Sequence, residues 1–148
     1  MPQPSNNLKI RLSSVGNPVI DKSAPTQLET GFNLDDLKIQ FKVSVEINRP
    51  ESQVIIVVML EYLLGQNQLF SGSLTSGFSV VDLASYITTQ EDDKFRIESD
   101  FLPMLISIAF STTRGYFVRE LAGTVLEPYP FPIVSMDSIQ KRTSYHLI

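Results

Sequence analysis

The chain has 148 residues, 43% hydrophobic and 19% charged, with a formal net charge of −4 and an isoelectric point near 4.9. Such a chain is ordered and long enough for one domain with a real core, expected over residues 1–148. It has no lysine- or arginine-rich run to bind nucleic acid, and no cysteine for a disulfide, a thiolate metal site or a thiol nucleophile.

The opening MPQPSNN is neither basic nor apolar, so no export signal is expected and a cytoplasmic location is. Leu8, Ile10 and Leu12 then alternate with Lys9, Arg11 and Ser13, the period of a half-buried strand. From Ser14 to about Asn33 no period holds, and Gly16, Pro18, Pro25 and Gly31 punctuate a long connection. The second strand is the clearest. Leu37, Ile39, Phe41, Val43, Val45 and Ile47 point one way, and Lys38, Gln40, Lys42, Ser44, Glu46 and Asn48 the other.

Asn48 to Ser52 turns the chain, with Pro50 suited to the turn. Val54 to Leu64 is apolar on both faces and rich in β-branched residues, which predicts a central strand or one covered by a partner. Gly65 to Gln68 turns again. A fourth strand sets Phe70, Leu74, Phe78 and Val80 against Ser71, Ser73, Thr75 and Ser79. Short turns predict an antiparallel meander, and the long first connection a Greek-key crossover. Asp82 to Asp93 reads as a polar link.

Asp100 to Ala122 is the longest predicted helix, with Ser99 or Asp100 capping its start, Pro103 in its first turn and Gly123 as its left-handed stop. Phe101 to Phe110 is apolar almost all round, and a helix greasy on every side must be covered on every side. That apolar run is too short to span a bilayer, so no membrane span is expected. The surplus is expected to meet a second subunit through Phe101, Leu105, Ile106, Ile108 and Ala109, with Gly115 setting how closely two helices approach. Glu127 to Val134 carries three prolines and is expected to be stiff and extended. Ser135 caps a short last helix, about Met136 to Tyr145. Strands first and helices last define an α+β order: a four-stranded antiparallel Greek-key-type sheet, one long helix and a short C-terminal helix.

Chemistry is sparse. His146 is the only histidine and reads as a plain terminal residue, so no triad or histidine-rich metal site can form. Glu91-Asp92-Asp93 lacks the spacing of a calcium loop and reads as a solvated acidic loop. Nothing brings Asp35-Asp36 together with Glu98 and Asp100 for acid–base work. There is no phosphate loop, dinucleotide fingerprint or nucleophile elbow. Neither an enzyme nor a cofactor is expected. What stands out is apolar material between Leu28 and Phe32 and at Tyr129, Phe131 and Ile133. It marks an interaction site or seals the sheet and helices, and periodicity alone favours sealing.

The Leu8-Lys9-Ile10-Arg11-Leu12 strand, the Ala24-Pro25 crossover, the meander and the long helix together resemble the SecB-like family of bacterial export chaperones. Arg114-Gly115 is similar to the Arg-Gly pair of that family's first helix, and Ser76-Gly77-Phe78 to the end of its fourth strand. The segments from Thr112 to Thr124 and Phe131-Pro132-Ile133 resemble a divergent SecB-like branch. The resemblance implies an ATP-independent holdase, a homotetramer built as a dimer of dimers, with unfolded or extended polypeptides as clients. Carried over by position, client binding falls to Leu28, Phe32, Tyr129, Phe131, Ile133 and Ile139. The family docks the motor SecA on an acidic sheet face through a glutamate whose matching position is Gly72, and the family's C-terminal tail is nearly absent. A general holdase, or an adaptor of the same fold for one dedicated partner such as an antitoxin, fits as well as an export factor.

Overall fold

The computed structural model describes residues 9–28, 33–91, 94–97 and 101–148. Three long strands form its frame: β3 (Leu37–Asn48), β4 (Gln53–Leu64) and β5 (Asn67–Val80), where β1 (Ile10–Val15) and β2 (Val19–Lys22) precede them. β3, β4 and β5 pair antiparallel as the expected meander. Both turns match their sequences. Asn48 Oδ1 accepts from Glu51 N at 3.1 Å in the first, and Gly65 takes a positive φ of 62° in the second, where no Cβ opposes it.

The Greek-key crossover is present, because β1 lies antiparallel beside β5 and not beside β3. Leu8 lies outside the described residues, and β1 itself is mostly exposed, Leu12 included.

The sheet departs from four antiparallel strands in two ways. Val19–Lys22, inside the expected connection, forms β2 and pairs with the first half of β5. At the other edge the chain's last strand, β8 (Thr143–Leu147), runs parallel to β3. The sheet is therefore six-stranded and mixed, in the order β1-β5-β4-β3-β8 with β2 on β5. His146 is consequently not a loose terminal residue: it sits in β8, opposite Glu46 of β3. Arg49 fastens the end of that strand, donating to Ile148 O from both its amide and its Nε at 3.2 Å.

The expected polar link also has structure. A 3-10 turn at Leu83–Tyr86 leads into β6 (Ile87–Thr89), which pairs with β7 (Phe95–Ile97) as a separate two-stranded sheet. Asp92, Asp93 and the proposed caps Ser99 and Asp100 lie outside the described residues.

The long helix α1 (Phe101–Leu121) lies on β4 and β5. Phe101, Leu102, Leu105, Ile106, Ala109, Phe110, Thr113, Phe117 and Leu121 are buried, one face at helical spacing. They close on the inward residues of β3, β4 and β5 in a single hydrophobic cluster. Although 21 residues long and apolar enough by composition to cross a membrane, α1 thus serves as the core helix of this fold. Gly123 ends it at φ 78°, as its sequence predicts. The short helix α2 covers only Met136–Lys141 before the chain enters β8. Its cap is Ser135, whose Oγ accepts from Ser138 N at 3.2 Å.

Candidate polypeptide-binding groove

The proline-rich segment is not one extended rod. The chain turns between residues 122 and 129 and straightens only from Pro130 to Ser135. Two hydrogen bonds fix it on either side of Pro130. Tyr62 Oη donates to Tyr129 O at 2.8 Å, and Arg114 Nε donates to Phe131 O at 3.1 Å. Between them Phe131 turns inward and joins Phe41 and Phe110, with ring centroids 5.0 to 5.6 Å apart. Arg142 stands over the Phe41 ring at 5.1 Å and closes that cluster from outside. Burial pushes the Tyr62 phenol up to about 12, so it remains a donor at any ordinary pH.

Beyond the buried Phe131, α1 and the residues from Ile133 to Ile139 together line an apolar hollow of about 210 Å³. Phe110 and Ile139, both buried, form its floor. Ile133, Val134 and Met136 make one wall, and Ser107, Ser111 and Arg114 of α1 the other. Ile133 stands at the rim with 83% of its surface exposed, the most exposed large apolar side chain described.

Of the client-binding residues expected from the sequence, Ile133 and Ile139 line this hollow and Phe131 is buried beneath it, its carbonyl held by Arg114. Tyr129 and Leu28 are half-buried and line no part of it; Phe32 lies outside the described residues. Arg114, Phe110, Val134 and Met136 were not expected in this role. The nearest signal for them is the helical spacing of Ser107, Phe110, Ser111 and Arg114, three, four and seven residues apart, which brings them to one side of α1.

The residues expected at a subunit interface divide. Phe101, Leu105, Ile106 and Ala109 are buried within this chain, whereas Ile108 and Gly115 face outward. Met104, Ile108, Ser111, Gly115 and Val118 follow one another at alternating steps of four and three, a straight outward line along α1. Met104, Ile108 and Val118 are between 41% and 54% exposed, and a Cβ at Gly115 would meet nothing within 4 Å.

Gly72 points inward. A Cβ built there would lie 2.9 Å from Cε1 of Phe117, so this position belongs to the sheet–helix contact and not to the outer face. Outward, β5 presents Ser71, Ser73 and Thr75, and β5 contains no carboxylate. A larger hollow of about 800 Å³ near β2 and β8 mixes Asp21 and Glu61 with Lys42, Lys141 and Arg142, and is lined by none of Leu28, Tyr129, Phe131, Ile133 and Ile139. No group of three or more metal-ligating side chains stands together among the described residues.

No family model matches the chain, and no curated protein matches it. Among solved structures, it is similar to the Mycobacterium tuberculosis Rv1957 SecB-like chaperone in complex with a ChAD peptide from the Rv1956 HigA1 antitoxin. The match has a TM-score of 0.42 and 13% identity, over 86% of this chain and 87% of that one.

Proposed function

We propose that this chain is a SecB-like, ATP-independent holdase of the cytoplasm, binding unfolded or extended polypeptides without catalysing a reaction on them. The observation that carries the proposal is the apolar groove beside α1, with Ile133 left 83% exposed at its rim. The prolines at 130 and 132 favour an extended segment that keeps this isoleucine at the surface, where its apolar side chain is available to another chain. Shallow apolar sites of this kind accept many sequences, each at modest affinity, which suits a holdase.

The outward line on α1 supports self-association, with copies meeting across Met104, Ile108, Gly115 and Val118, and a dimer of dimers as the assembly. SecA docking is left out of the proposal, because β5 shows serine and threonine outward and no carboxylate. The test compares one client protein in two states, native and kept unfolded by reduction and alkylation. A holdase binds the unfolded form alone, from several unrelated clients. Binding of a single native partner, with no affinity for unfolded chains, would define an adaptor and end the holdase reading.

A further inference from the structure

The groove beside α1 is small, and its polarity is uneven. At about 210 Å³ it lies below the roughly 300 Å³ at which sites for drug-sized ligands begin, and has room for one large aliphatic or aromatic side chain. Among the described residues, Arg114 is the only charged one that lines it. Its guanidinium is already oriented, because Nε is committed to Phe131 O at 3.1 Å, while its Nη groups take no partner among the described residues. A planar fork held this way matches a carboxylate through two parallel N–H···O bonds.

Resting on the holdase reading, we infer that the groove recognises a two-residue word in an extended client. An aliphatic or aromatic side chain enters the hollow, and the carboxylate of a neighbouring Asp or Glu is held by Arg114. The contact is local. With a net charge of −4 the chain as a whole repels acidic segments, so long-range attraction cannot produce this preference. Discrimination by Arg114 should therefore survive salt that screens surface charges.

The experiment uses the full chain and two labelled, C-terminally amidated peptides identical except for a central Leu-Asp or Leu-Asn. Fluorescence anisotropy should show the Asp peptide binding about tenfold tighter, the worth of one charge-assisted contact. In Arg114→Gln the ratio between the two peptides should fall to about one, even if both affinities drop because Phe131 is less firmly held. Ile133→Ser should weaken both peptides alike and leave the ratio unchanged. A ratio near one in the parent chain, or a tenfold ratio that persists in Arg114→Gln, overturns the inference. If neither peptide binds, the pocket assignment falls as well, while binding of unfolded client protein judges the holdase reading separately.

Discussion

The Tyr62 phenol donates to the Tyr129 carbonyl oxygen at 2.8 Å and so ties the central strand to the segment that walls the groove. Tyr62→Phe leaves that carbonyl without its donor, at a cost of about 1–2 kcal/mol by chemical denaturation at neutral pH. Alkali should act on the same bond. The phenol is held protonated in the folded chain, with its pKa raised from 10.0 to about 12 by burial. Its contribution is therefore whole below pH 10 and is lost as pH climbs towards 12. Burial raises Tyr145 too, in the same direction. The parent chain should lose stability more steeply than Tyr62→Phe between pH 10 and 12; parallel curves would show that Tyr62 is not the titrating group.

Two glycines should respond in opposite ways to alanine. At Gly72 the new Cβ would come within 2.9 Å of the fully buried Phe117 ring and 3.0 Å of the backbone oxygen of Val19, so one of them must shift. Gly72→Ala should cost about 1–3 kcal/mol by overpacking. At Gly115 the added methyl meets nothing within 4 Å among the described residues, and helix propensity alone should give about 1 kcal/mol of stability. If copies meet at Gly115, Gly115→Ala should raise the unfolding midpoint of dilute protein and weaken assembly, seen as a fall in mass by light scattering.

Neighbouring isoleucines separate folding from assembly. Ile106 is 0% exposed and Ile108 41%. Ile106→Asp buries an unpaired carboxylate and should abolish the cooperative unfolding transition. Ile108→Asp should keep the circular dichroism of the parent and shift the sedimenting species towards a single chain. A folded, fully assembled Ile108→Asp protein would remove α1 from the interface.

Ile133 gives the cleanest test of the groove. At 83% exposure it packs on little, so Ile133→Ser should move stability by less than about 0.5 kcal/mol. Binding of unfolded client should nevertheless weaken several-fold. Equal binding by the two proteins would place the clients elsewhere.

The frame of the fold is legible in the residues themselves, because β3 and β5 carry period-two patterns, β4 is a continuous apolar run rich in β-branched residues, and Pro50 and Gly65 mark the turns between them. β2 and β8 are not. Val19-Ile20-Asp21-Lys22 is too short to show a period, and β8 exists through a parallel pairing with β3 about a hundred residues earlier in the chain. The division of α1 is hidden for a different reason. Met104 and Ile108 are as apolar as Leu105 and Ile106, so composition cannot tell the face on the sheet from the face in water. Ile133 is legible as an apolar residue in a proline-rich setting and Ile139 only through the family resemblance, but Arg114 joins them only through a side chain-to-backbone bond across 17 residues.

The most direct measurement is light scattering from a client protein unfolding with heat, with this chain added in stoichiometric excess and no nucleotide present. Holdase action predicts that scattering is suppressed by the parent chain and much less by Ile133→Ser. Undiminished aggregation in the presence of folded, assembled parent protein would contradict it.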